Sequence, residues 1–213
     1  MKCAKENLLL YAVTDRAWCG KRTLLEQVEE ALQGGVTMVQ LREKELPEAE
    51  FLAEAQTMRE LCHKYHVPFI VNDNVKIALA SKADGIHVGQ EDMPASEVRK
   101  LVGPKMIIGV SAETLEEALK AEKDGADYLG VGAVFPTATK LDAEAVTVQT
   151  LQAITGAVQI PVCAIGGIKE NNMPQLKNSG IDGVAIVSAI FASADITGTC
   201  KELKKVARAL FVK

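Results

Sequence analysis

No stretch of the 213-residue chain is apolar over the length that crosses a bilayer. The N-terminal apolar stretch runs only from Leu8 to Val13 before Thr14 and Asp15. That is too short for a signal-peptide core, so a soluble, cytoplasmic protein is expected. Paired cysteines are missing too. The five present, Cys3, Cys19, Cys62, Cys163 and Cys200, are odd in number and none has CxxC spacing. They read as reduced thiols used as small apolar residues. Positive charge is not in excess: 24 Lys plus Arg face 28 Asp plus Glu, for a net charge of −4. This argues against non-specific binding to nucleic acid or to an anionic membrane. An anion must therefore be caught by a local cluster of cations. No Ser/His/Asp or Cys/His set is visible, and no closed zinc site.

What is present is a globular composition, 48% hydrophobic and 24% charged. One domain spanning residues 1–213 is expected, since α/β barrels commonly run past 200 residues as single units. Short apolar runs recur at Leu8–Thr14, Thr37–Leu41, Phe69–Val71, Gly85–Gly89, Met106–Ser111, Tyr128–Phe135, Ile160–Ile168 and Gly183–Ile190. Most lack polar alternation, as strands buried on both faces do. Helical stripes lie between them, such as Leu24, Leu25, Val28, Ala31 and Leu32, or Leu115, Ala118 and Leu119. Thr23 with Glu26, Thr114 with Glu117 and Thr199 with Glu202 fit the capping box. Gly34–Gly35, Gly103, Gly125, Gly156 and Gly180 mark helix ends.

An internal echo ties these signals together. Ala83-Asp84-Gly85, Ala126-Asp127-Tyr128 and Ile181-Asp182-Gly183 each join a helix exit, an acidic turn and a strand. Eight strands with helices between them predict a closed (β/α)8 TIM barrel. The competing open sheet would carry a glycine-rich fingerprint after its first strand, and there is none. In such a barrel the active site forms at the carboxyl ends of the strands.

Strand 2 ends in Gln40-Leu41-Arg42-Glu43-Lys44, and alternation puts Gln40, Arg42 and Lys44 on one side. Inward cations would be costly without an anion. Asp73 and Asp92 follow strands 3 and 4, 92 − 73 = 19 residues apart, one βα repeat. Together they suit magnesium, which takes hard oxygen ligands. Alternatively, each caps the helix that follows. Ser111 ends strand 5; Thr114 already caps the next helix, which leaves the Ser111 hydroxyl for a ligand. Thr137, Ala138, Thr139 and Lys140 form either an anion clamp or an ordinary polar turn. Gly166–Gly167 after strand 7, and Val187 and Ser188 after strand 8, occupy the places where barrels often bind phosphate. His63 and His66 read as surface residues, and His87 as a hydrogen-bonded wall residue. The loop of Arg16 to Gly20 receives no contact.

The motifs Gln-Leu-Arg-Glu-Lys at 40–44, Val-Asn-Asp at 71–73, His-Val-Gly-Gln-Glu-Asp at 87–92, Gly-Val-Ser at 109–111, Phe-Pro-Thr-Ala-Thr-Lys at 135–140, Ile-Gly-Gly-Ile at 165–168 and Val-Ser-Ala at 187–189 resemble thiamine-phosphate synthase. The resemblance covers the whole barrel. It implies a cytoplasmic transferase that joins hydroxymethylpyrimidine diphosphate to hydroxyethylthiazole phosphate, with diphosphate leaving first. It further implies that Gln40, Leu41, Arg42, Glu43, Lys44, Asn72, Ser111 and Lys140 contact the pyrimidine diphosphate. Thr137, Ala138, Thr139, Gly167, Val187 and Ser188 would hold the thiazole phosphate, and Asp73 and Asp92 would ligate magnesium. Arg42, Lys44, Ser111 and Lys140 form the implied catalytic set. The implied partners are small molecules only, with homo-oligomerisation left open. Two other readings remain: a thiazole tautomerase on the same scaffold, and a non-catalytic phosphate-binding barrel.

Overall fold

The structure is a computed structural model that describes residues 3–136 and 146–212. Eight parallel strands close into a barrel in sequence order. They are β1 (Leu10–Val13), β2 (Met38–Leu41), β3 (Phe69–Asn72), β4 (Gly85–Val88), β5 (Ile107–Ala112), β6 (Tyr128–Val131), β7 (Val162–Ile165) and β8 (Gly183–Ile186). Closure comes from β1 pairing with β8, Leu10 opposite Val184 and Ala12 opposite Ile186. The helices are α1 (Leu24–Gly34), α2 (Glu48–Lys64), α3 (Val75–Ser81), α4 (Ala95–Val102), α5 (Leu115–Lys123), α6 (Val148–Ala157), α7 (Ser188–Phe191) and α8 (Ile196–Phe211). Between β7 and β8 the described connection is a 3-10 turn, Met173–Leu176, where a helix is expected.

Each strand feeds two cores, because successive side chains point to opposite faces. Leu10, Ala12, Val39, Leu41, Phe69, Val71, Ile86 and Val88 pack outward in one cluster with residues of the helices. Tyr11, Val13, Met38, Ile70, Ile107, Tyr128, Cys163 and Ala185 fill the inside. Two-sided burial explains the near-continuous apolar runs, and six of the eight strands are shorter than those runs. Val13 ends β1, Val131 ends β6 and Ile186 ends β8, so Phe135 and Ile190 lie beyond their strands.

The helix starts at Thr23 and Thr114 form reciprocal capping boxes with Glu26 and Glu117, as expected. Thr199 with Glu202 does not. Asp195, four residues earlier, caps α8 by accepting from the Gly198 amide. Gly156 lies inside α6, whose cap is Val158 in extended conformation. On α5 the buried residues are Ala118 and Ala121, while Leu115 and Leu119 are exposed. Among the described residues, no helix is long and apolar enough to cross a membrane.

Candidate active site

The inward face of the barrel is apolar at its amino end and polar toward its carboxyl end. Gln40 and Asn72 are buried there, along with His87. A continuous hydrogen-bonded chain crosses this interior. Gln40 Nε2 donates to Tyr11 Oη at 2.6 Å, and the Tyr11 and Tyr128 hydroxyls lie 2.8 Å apart. Tyr128 Oη lies 2.9 Å from His87 Nδ1, and His87 Nε2 lies 3.0 Å from Ser111 Oγ. Burial pushes His87 down from 6.5 to about 4, with Asp92 opposing the shift, so the ring is neutral near pH 7. With Gln40 donating, one order satisfies every atom. Tyr11 donates to Tyr128, Tyr128 to Nδ1 and Nε2–H to Ser111. Contrary to the expectation of a free hydroxyl, Ser111 Oγ accepts from His87, which leaves its own hydrogen and one lone pair for a ligand.

Glycine makes room for this chain. A Cβ on Gly109 would fall 2.1 Å from Tyr128 Cζ, so only glycine lets the phenol reach the barrel centre. Tyr11 and Tyr128 were not singled out in the sequence, because each sits in an apolar run and reads as core. Their signal is the facing glycine on β5, which only the strand register reveals.

Above this layer lies the charged rim. Lys44 Nζ donates to Asp73 Oδ2 at 2.5 Å. Asp73 is raised in pKa by burial and by the adjacent Asp92 carboxylate, against the pull of Lys44. Neither aspartate caps a helix. Asn74 accepts from Ile77 to cap α3, while Asp92 Oδ2 accepts from the Gly89 amide at 2.7 Å. The structure thus brings Lys44, Asp73 and Asp92 together. Arg42 lies beside them in sequence, its guanidinium 4.0 Å from Asp15.

Two residues of the same motif leave the site. Leu41 faces outward in the core between barrel and helices. Glu43 is held by Arg16, with Nη2 donating to Oε1 at 2.7 Å, and burial raises its pKa. Neither side chain is placed to touch a substrate with Arg42 and Lys44. Arg16, to which the sequence assigned no substrate contact, is bonded to Glu43 and Glu54.

Across the same carboxyl rim Gly166 and Gly167, just after β7, have positive φ (99° and 63°). A Cβ on Gly167 would meet the Pro136 carbonyl oxygen at 2.5 Å, so these glycines let the β6 loop pack closely. Val187 precedes the short helix α7 and Ser188 begins it. Thr137, Ala138, Thr139 and Lys140 lie outside the described residues.

This arrangement has relatives. The family model described as thiamine monophosphate synthase matches residues 10–190, from the first strand to α7. The chain belongs to that family. Curated thiamine-phosphate synthases are similar over nearly the whole chain. The one from Clostridium tetani is 53% identical, covering 91% of this chain and 93% of the relative. The one from Ruminiclostridium cellulolyticum is 49% identical, covering 95% and 97%. A solved thiamine phosphate pyrophosphorylase from Pyrococcus furiosus superposes with a TM-score of 0.90 at 42% identity, over 97% of this chain and 98% of that one. The protein is accordingly an enzyme of the thiamine-phosphate synthase family, a transferase acting on small molecules.

Proposed function

We propose that the enzyme joins hydroxymethylpyrimidine diphosphate to hydroxyethylthiazole phosphate, giving thiamine monophosphate and diphosphate. The observation that carries this reading is the pairing of Lys44 with Asp73, beside Asp92, at the carboxyl rim of a barrel whose interior is neutral and hydrogen-bonded. A diphosphate meets cations at the rim. A planar heterocycle meets the Gln40-to-Ser111 chain below.

Asp73 and Asp92 would hold magnesium. Two carboxylates fit that ion, which fills its remaining positions with water and phosphate oxygens. Among the described residues there is no cluster of three or more His, Cys, Asp and Glu of the kind a zinc site uses. When bound, magnesium supplies positive charge that offsets the charge of a departing diphosphate.

The chain's own residues do the rest. Arg42 and Lys44 balance the growing negative charge, as does Lys140 by family resemblance. Ser111 offers its hydrogen to an acceptor on the bound heterocycle. Neutral His87 holds Ser111 in place and is not required as a base, because the attacking thiazole nitrogen has no proton to lose. Gly167, Val187 and Ser188 hold the thiazole phosphate beside the pyrimidine, so catalysis is charge stabilisation plus juxtaposition.

The test mixes purified enzyme with both precursors, with magnesium or with a chelator. Equal amounts of diphosphate and thiamine monophosphate, formed only with magnesium, are expected. Thiazole isomerisation without diphosphate release would identify a tautomerase instead. Asp92→Asn should raise the magnesium concentration needed for half-maximal rate, and an unchanged metal titration would remove Asp92 from the metal site.

A further inference from the structure

The loop after β1 touches the end of β2 residue by residue. Thr14 donates its amide to the Gln40 carbonyl at 2.9 Å, and its hydroxyl accepts from the Arg42 amide at 3.0 Å. Asp15, braced by the Ala17 amide, faces the Arg42 guanidinium. Arg16 then grips Glu43 through Nε (3.3 Å) and Nη2 (2.7 Å), and Glu54 of α2 through Nη2 (2.8 and 2.7 Å). The Glu43 side chain is 4% exposed, against 46% for Arg16.

Glu43 stands between Arg42 and Lys44 in the chain. A carboxylate this buried needs a cation, and without Arg16 the cations that flank it in the chain are those two neighbours. Pairing with either would cancel charge meant for a phosphate. We propose that Arg16 is a positioning residue: it sequesters Glu43 and thereby keeps Arg42 and Lys44 available to the diphosphate. The inference rests on the reading above, that these two cations hold a diphosphate.

The experiment titrates inorganic diphosphate, with magnesium present, into the full chain and into four variants, and follows kinetics in parallel. Arg16→Gln should weaken binding between about 10- and 100-fold, the cost of a misplaced contact group. KM for the pyrimidine diphosphate should rise and kcat should fall with it, because the same two cations offset the charge of the leaving diphosphate, while KM for the thiazole phosphate stays near its parental value. Arg16→Lys keeps a cation on Glu43 and should bind nearly as the parent. Glu43→Gln added to Arg16→Gln should recover most of the loss, because an amide no longer competes for the cations. Parental binding by Arg16→Gln overturns the proposal, and so does a double variant no better than the single one. Arg42→Gln separates the two levels: if it too binds diphosphate normally, the reading of the cation cluster itself has failed.

Discussion

His87 is buried among hydroxyls, with both ring nitrogens hydrogen-bonded. Its lowered pKa has a consequence for stability. Between the unfolded value of 6.5 and the folded value of about 4, the unfolded state binds the extra proton. The contribution is complete above pH 6.5 and is lost as pH falls toward 4. It is worth up to about 3 kcal/mol across that window. His87→Asn should be less stable than the parent at pH 7 and should flatten the decline in urea midpoint between pH 7 and pH 4.5. Parallel declines in the two proteins would contradict this. Tyr128→Phe breaks the chain at its middle, leaving the Tyr11 hydroxyl and His87 Nδ1 short of a partner. It should cost about 1–3 kcal/mol in chemical denaturation. The histidine could be read from the sequence as a wall residue, because a polar side chain inside an apolar run must be satisfied. Its partners could not, since Tyr128 and Ser111 lie 41 and 24 residues from it in the chain and only the strand order of the barrel brings them to it.

The echo of three acidic turns has a single physical cause at the level of strands and helices. Asp84, Asp127 and Asp182 precede β4, β6 and β8. Each accepts an amide from the first two residues of the preceding strand: Phe69 at 2.9 Å, Ile108 at 2.9 Å and Val162 at 3.0 Å. Thr37 does the same before β2 with its hydroxyl, accepting from Leu10 at 2.9 Å. Every second strand thus stitches its predecessor at the amino end of the barrel. Each aspartate also meets a cation or imidazole: His63, Arg99 and Lys5 respectively. Because the candidate site lies at the other end, Asp127→Ala should lower stability by about 1–3 kcal/mol and leave both KM values unchanged. A rise in KM without loss of stability would contradict this division between the ends. The repeat was legible because it is local, an acid just before a strand. The α8 start was misread for the opposite reason. Thr199 and Glu202 have capping-box spacing, but only the chain path shows that Asp195 already closes that helix.

Across the whole molecule, two cores and one rim follow from a single pattern. Strands flanked by helices outside and by other strands inside must be apolar on both faces. That is why eight apolar runs stand out in the sequence, and why their polar ends mark the rim. Less legible was which neighbour each rim residue chooses: Lys44 goes to Asp73, and Glu43 goes to Arg16. The net charge of −4 opposes anion binding only at long range. At physiological ionic strength the screening length is about 8 Å, so most of that distant charge is already muted. A cation about 4 Å from a phosphate contributes about 1 kcal/mol in water and about 4 at an effective dielectric of 20. The local cluster therefore wins, and added salt should erode it. Raising potassium chloride from about 0.15 to 0.6 M halves the screening length to about 4 Å. On the proposed reading, at fixed magnesium KM for the pyrimidine diphosphate should rise severalfold, and KM for the thiazole phosphate should rise less, since the residues proposed to hold it, Gly167, Val187 and Ser188, include no cation. Equal rises would mean that the two phosphates share one electrostatic site. A flat response for the diphosphate would mean that Arg42 and Lys44 remain committed to Asp15 and Asp73 when substrate arrives.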